Sequence, residues 1–522
     1  MESLKERLLK YYGWDEERLA EETSEPSSLS FPSLFGNVEA EKAKKRLSEA
    51  KERKEKTIVY GDYDTDGILG TSIFLSTLKE FGLEASYFIP SRYSDGYGLN
   101  NGNAKRMAEA GYTLVILIDN GVSCLEPIEY LKGKGIDTLV FDHHEFPETL
   151  PPCLSLVHPL TMGVGGKDGF NISAGFVSYL FSCFLLEKED RYLRTLAGIT
   201  TLSDMMPLLG INRTLVRLAL NDLNENRYEQ ICLLSEKTFI DEKVLGMEII
   251  PAINALGRMN EDHKTSLAVA YFSKTAGAKR QAIASWMKEV NEERKKLTKE
   301  AASLVKYKKG ASGIIANLNI KEGLNGLIAN RLMKEHKVPT AIFSSSYADP
   351  NLLVGSIRAE DGFDVLDCLK SLAPYCLTSG GHAQAGGLSI LASDYPSFGK
   401  AFIAYCLSHP FIAKEPEAIP LSLSEATMES YKTIRLFGPF GEKHKEPTFV
   451  LTNLSCDSFL FSSDGRYLMT PLGYGVRLVS FLHGKKDFIG KEKTSFYVTF
   501  GLNEYRGRNS LQLLVSSSPS KA

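Results

Sequence analysis

Thr57-Ile58-Val59-Tyr60-Gly61-Asp62-Tyr63-Asp64-Thr65-Asp66-Gly67 decides the fold: a short apolar, β-branched run that stops on alternating aspartates. The same pattern recurs twice. Leu114-Val115-Ile116-Leu117-Ile118 ends on Asp119, and Thr138-Leu139-Val140-Phe141 ends on Asp142-His143-His144. Runs of this length without polar alternation read as strands buried on both faces, as in a parallel sheet. Open α/β sheets bind ligands at the carboxyl ends of their strands. If the three strands are neighbours, five aspartates and two histidines converge on one crevice. Such charge repels itself strongly, and a pair of divalent cations is the simplest remedy. The pattern predicts a two-metal phosphoester hydrolase.

In an extended segment the alternating acids Asp62, Asp64 and Asp66 share one face, and Gly67 permits a tight turn into the next helix. The spacing also resembles the start of a calcium loop, but the twelfth position from Asp62 is Ile73 where such a loop needs Glu. That reading fails. Asp119 precedes Asn120-Gly121, a strand-to-turn transition with the carboxylate at its tip. Adjacent His143 and His144 diverge, so one can bind a metal while the other meets the substrate. In Leu202-Ser203-Asp204-Met205-Met206-Pro207 an acid sits within an apolar stretch, where it needs a metal or an arginine.

At 522 residues and 57.8 kDa the chain should hold two to four domains. No apolar run approaches the ~20 residues that span a bilayer, and the N-terminus has mixed charge without a leader-like apolar stretch. Eight scattered cysteines without a Cys-x-x-Cys pair argue against a zinc ribbon or disulfide framework and suit a reducing cytoplasm. The net charge of −3 hides a basic C-terminal part, with 13 Lys+Arg against 9 Asp+Glu from Pro420 onward. The organisation expected is an extension over 1–45 packed on the first domain, a parallel-sheet α/β domain over 46–275, and a charged linking helix over 276–310. A smaller α/β domain over 311–413 follows, then an all-β domain over 420–518 with an OB-type barrel expected.

In the order GDYDTDG, IDNG, DHH and SDMMPL the chain resembles the DHH phosphoesterases and, within them, the RecJ exonucleases of single-stranded DNA. Asn254-Ala255-Leu256-Gly257-Arg258, Ser356-Ile357-Arg358 and Ser379-Gly380-Gly381-His382 continue the likeness, the last in the manner of the accessory DHHA1 domain. Gly438-Pro439-Phe440-Gly441 and Arg506-Gly507-Arg508 resemble the C-terminal OB domain. The resemblance implies Asp62, Asp64, Asp66, Asp119, His143 and Asp204 as metal ligands, with Asp119 bridging two ions, Mn²⁺ or Mg²⁺. It assigns Asp119, His143, His144 and Asp204 to catalysis of hydrolysis at phosphorus. Arg92, Asn254, Arg258, Ser356, Arg358, Gly380, Gly381 and His382 would bind substrate, the arginines meeting phosphate oxygens with their forked donors. The implied activity is 5′→3′ digestion of single-stranded DNA in repair and recombination, by a cytoplasmic monomer working with a helicase and a single-strand-binding protein and not with a membrane. A phosphodiesterase for short oligonucleotides or cyclic dinucleotides and a non-catalytic replication scaffold are the alternatives. The extra β domain disfavours the first, and the full set of carboxylates and histidines disfavours the second.

Overall fold

The computed structural model describes residues 2–164, 171–260, 262–273, 279–308, 310–410, 415–473, 475–481, 483–505 and 508–517. The chain divides into two compact units, one of residues 27–412 and one joining the residues up to Pro26 to those from Ala413 onward.

In the first unit β1 (Thr57–Tyr60), β2 (Ala85–Phe88), β3 (Leu114–Ile118), β4 (Asp137–Phe141) and β5 (Ser155–Val157) form an all-parallel sheet. Their order is β2-β1-β3-β4-β5, so the three aspartate-tipped runs are neighbours. Every residue of β1 and β3 is buried, as their unbroken apolar character requires. One face is covered by the helices Thr65–Phe81 and Ala174–Leu186, whose Phe74 and Phe181 pack at steep angles against Phe141 with centroids 4.6 and 4.7 Å away. Truncating such a ring to alanine costs roughly 3–5 kcal/mol. On the other face Val115, Leu117 and Val140 meet Met107, Ile128 and Leu131 from the helices Asn101–Glu109 and Leu125–Gly133. With both faces roofed by helices, the strand ends are left to carry the chemistry.

Gly67 is helical, and a Cβ there would lie 2.5 Å from the Asp62 backbone. The position needs glycine for close approach, and not for the tight turn that the sequence predicts.

The 25-residue helix Arg280–Leu304 leads into a second sheet, β6 (Ile314–Asn317), β7 (Thr340–Ser345), β8 (Leu352–Arg358), β9 (Thr378–His382) and β10 (Ala385–Leu391). Its order is β6-β7-β8-β10-β9, with β6 parallel to β7 and the remaining pairs antiparallel. Strand β9 carries the glycine-rich stretch along an exposed edge. At Gly381, with φ +146, a Cβ would come within 2.2 Å of the Ala385 carbonyl, so only glycine fits this hairpin.

The second unit holds β11 (Ala418–Pro420), β12 (Thr448–Ser455), β13 (Leu468–Gly473), β14 (Val476–Ser480), β15 (Lys493–Tyr505) and β16 (Arg508–Ser517). They pair in one row, β11-β12-β15-β16-β14-β13, and among the described residues nothing joins its ends. The all-β domain expected from sequence is thus present with six strands; its β11 edge is three residues long and ends on Pro420, which has no N–H to donate. Phe459, Phe488 and Phe496 fill the core, Phe461 and Tyr467 are half-buried, and Phe481 is 66% exposed. Tyr474, Arg506 and Gly507 lie outside the described residues, as do the expected domain limits at 275–276, 413 and 518.

The expected packing of the whole N-terminal extension on the first domain is corrected. Leu8, Leu9, Trp14 and Leu19, from the helices Leu4–Tyr12 and Glu16–Thr23 and the turn between them, join the core of the second unit. Trp14 stacks on His444 at 5.3 Å and on Phe437 at 5.5 Å. Only the later part, with Leu34, Ala40 and Ala43, packs in the first unit. An amphipathic helix displays an apolar face in the sequence without saying which core will receive it. Among the described residues no helix is long and apolar enough to cross a membrane.

Candidate metal centre

The strand ends place six acids and two histidines together. Asp62 follows β1 and is buried. Asp64 caps the helix Thr65–Phe81, its Oδ1 accepting the Gly67 N–H at 3.1 Å. Asp66, the second residue of that helix, is fully enclosed and accepts the Ala174 and Gly175 N–H groups, each at 2.8 Å, at the start of the helix Ala174–Leu186. Asp119 ends β3 in the left-handed region, φ 62, a conformation aspartate tolerates better than most side chains. Asp142 and the two histidines follow β4, and Asp204 closes the helix Arg191–Ser203.

Three groups of potential ligand atoms result, each within 4.8 Å: Asp62, Asp64 and Asp119; Asp66, His143 and Asp204; and Asp119, His143 and His144. His143 Nε2 is central, 3.3 Å from Asp119, 3.4 Å from Asp204 and 3.8 Å from Asp66. Asp62 Oδ1, Asp119 Oδ1 and both ring nitrogens of His143 are buried without a hydrogen-bond partner. A buried polar atom without a partner costs about 1–3 kcal/mol, more when charged. So many together match the donor set of hard divalent cations, carboxylate oxygen with imidazole nitrogen. The residues fit a two-cation centre.

The electrostatics agree. Burial, and then repulsion from Asp64, raise Asp66 to about 7; burial, and then Asp66 and Asp64, raise Asp204 to about 8. Burial, followed by Asp64 for Asp62 and by Asp66 for Asp119, pushes these two well above the ordinary value. Burial with the neighbouring His144 lowers His143 to about 3, so it is a neutral ligand. Burial works against charge on His144 too, but its bond to Asp142 outweighs this and raises it to about 9.

Asp142 was expected in the crevice but given no role. It is fully enclosed and accepts His144 Nδ1–H at 2.7 Å together with the backbone N–H groups of Val122, His143 and His144. It therefore orients His144 and stays ionised, burial being outweighed by the His144 bond. Its signal lay in the Asp-His-His triplet itself. Tyr97, which was missed, sets its hydroxyl 3.2 Å from both the Asp119 carbonyl and the His144 ring.

The expected substrate residues fall into two places. Arg258 is half-buried, donates to the Gly323 carbonyl at 3.4 Å, and is lowered to about 10 by lost hydration and then by the charges of Arg92, Arg294 and Arg358. Arg92 lies over the Tyr63 ring at 4.3 Å with its Nε buried and unpartnered. Arg358 donates to Ser356 Oγ at 2.7 Å and is lowered by burial. Among the described residues none of these four arginines has an ion-pair partner. A cluster of unpaired guanidinium groups is an anion site. Arg294, from the linking helix, was missed because nothing separates it from the lysines and arginines around it. Asn254 turns its amide oxygen to Thr65, accepting N–H at 2.9 Å and Oγ1–H at 3.0 Å, and so braces the turn after Asp64. Gly380, Gly381 and His382 lie on exposed β9, and no described hydrogen bond or ion pair joins them to the acids or the arginines.

Residues 56–208 match the DHH family, N-terminal domain, and residues 418–517 match the RecJ OB domain. The chain is 25% identical over 494 residues to the single-stranded-DNA-specific exonuclease RecJ of Bacillus subtilis, covering 91% of this chain and 62% of that protein. It is 27% identical over 550 residues to the protein of the same name from Haemophilus influenzae, covering 94% and 91%. It thus spans nearly all of one relative and less than two thirds of the other. Among solved structures, RecJ from Thermus thermophilus in complex with Mn²⁺ superposes with a TM-score of 0.81 at 23% identity, covering 98% of this chain and 75% of that one. At that identity the superposition speaks for the fold.

Proposed function

We propose that the chain is a RecJ-type DHH phosphoesterase, a 5′→3′ exonuclease of single-stranded DNA acting in repair and recombination. The observation that carries this reading is the pairing of two features in one unit. One is a set of buried carboxylates around His143, and the other a cluster of arginines with no ion-pair partner among the described residues.

Asp62, Asp64, Asp66, Asp119, His143 and Asp204 would hold two cations, Mn²⁺ or Mg²⁺, with Asp119 between them. The bound ions would supply charge stabilisation at the scissile phosphorus and a water activated for attack. His144, held by its bond to Asp142, would donate a hydrogen bond to a phosphate oxygen. Arg92, Arg258 and Arg358, with Ser356, would receive the 5′-terminal phosphate and so set the distance from chain end to cleaved bond. Asn254 supports the turn that carries Asp64, and Gly380, Gly381 and His382 would line the strand's path along β9.

We divide the work among an N-terminal extension (1–45), a DHH domain (46–275), a linking helix (276–310), a DHHA1 domain (311–413) and an OB-like domain (420–518). The last would hold the departing strand through stacking and backbone attraction. The reading extends to a cytoplasmic monomer that takes ends exposed by a helicase and works beside a single-strand-binding protein. Digestion of a 5′-phosphorylated single strand, its duplex and a dinucleotide with Mn²⁺ tests the substrate class: the single strand should be consumed first. Preference for the dinucleotide would overturn it.

A further inference from the structure

Asn212, in the first turn of the helix Gly210–Asn226, has no exposure to solvent and lies outside every ligand group. Its Nδ2 donates two hydrogen bonds, to the Asn171 carbonyl at 2.8 Å and to the Pro207 carbonyl at 3.1 Å. Its Oδ1 is buried and accepts nothing. A buried amide that leaves its acceptor unmet is held there by what its donors do.

Those donors tie together the chain segments that carry or hold the three members of one ligand group. Pro207 is three residues beyond Asp204 on the connection that leaves the metal centre. Asn171 in turn donates its own Nδ2 to the His143 carbonyl at 2.8 Å. Three residues further along, Ala174 and Gly175 supply the N–H groups that hold Asp66. We infer that Asn212 and Asn171 form an amide brace that sets the spacing of Asp66, His143 and Asp204, and so the affinity of one of the two cation sites. The brace acts through the ligands and makes both asparagines positioning residues. The Asp62, Asp64 and Asp119 group has no described bond to either asparagine and should be untouched.

The inference rests on the two-cation reading, and a binding measurement separates the two. Mn²⁺ is titrated into metal-stripped full-length protein and free Mn²⁺ is read by electron paramagnetic resonance. The variants are Asn212→Leu, Asn171→Ala and a matched control, Asn224→Leu. Asn224 lies in the same helix, donating to the Leu220 and Ile240 carbonyls at 2.8 Å each, away from the ligands. Loss of a supporting partner of a metal ligand costs about 10–100-fold in metal affinity. Asn212→Leu and Asn171→Ala should weaken one of two Mn²⁺ sites by about that factor and leave the other within about twofold, while Asn224→Leu lowers only the melting temperature. Should Asn212→Leu fail to fold, the half-buried Asn171→Ala decides alone. Two unchanged sites in the brace variants, or an equal loss in Asn224→Leu, would overturn the brace. Wild-type protein that takes up no Mn²⁺ would instead overturn the two-cation reading beneath it.

Discussion

Loading the metal-free protein with Mn²⁺ should expel protons, in a number that follows from the buried carboxylates. At pH 7 Asp204, near about 8, keeps most of its proton and Asp66, near about 7, about half, while Asp62 and Asp119 are also raised well above the ordinary range. His143, near about 3, has none to give, and His144, near about 9, keeps its own against Asp142. Ligands must be deprotonated to bind, so more than one proton should leave per protein at pH 7. Apparent affinity should then climb more than about tenfold per pH unit between pH 6 and 7 and flatten once the raised carboxyls have ionised. Stability of the metal-free protein runs the opposite way. These carboxyls are raised above their unfolded value, so their contribution is complete below about pH 4 and is lost as pH rises through 7 to 8. For Asp66, moved from 3.8 to about 7, the loss is about 4 kcal/mol. Titration calorimetry in two buffers of different ionisation enthalpy counts the protons, and thermal melts with chelator or Mn²⁺ at pH 6 and 8 read the stability. No proton release, or affinity flat between pH 6 and 8, would refute the reasoning.

Three further outcomes are expected. Asp142→Asn should return His144 from about 9 towards its ordinary 6.5, read by histidine NMR of the metal-free protein, and an unchanged titration would remove Asp142 as its partner. Arg358→Ala should cost about 1.5–3 kcal/mol of binding on 5′-phosphorylated strands and little on 5′-hydroxyl strands; equal losses would make the arginine structural. Phe481→Ala should weaken binding of long single strands by about 1–3 kcal/mol without slowing cleavage of short ones, and unchanged binding would leave this exposed ring without a stacking role.

How much of this was legible in the sequence depends on how local the determining contacts are. Strands β1, β3 and β4 were readable because burial on both faces forces an unbroken apolar run, and the acids at their tips were conspicuous for breaking it. Asp204 was readable for the same reason. The strand order of the second unit was not, since alternation within each strand is the same whichever neighbours it takes. The destination of Leu8, Trp14 and Leu19 depends on Phe437, Phe440 and His444, more than 400 residues away. Arg294 is one cation on a helix full of them, distinguished only by where that helix lies. Gly67 was flagged for the wrong reason, because a turn and a close approach call for the same residue.

The central claim is that the acids at the ends of β1, β3 and β4 hold two cations that cleave single-stranded DNA from its 5′ end. A single strand carrying different labels at its two ends, digested with Mn²⁺ by the wild type and by Asp119→Ala, tests it most directly. The account predicts that the 5′ label leaves first on a mononucleotide while the 3′ label stays on long strands, and that Asp119→Ala releases neither although it remains folded. Release of the 3′ label first, or near-normal turnover by Asp119→Ala at saturating Mn²⁺, would contradict it.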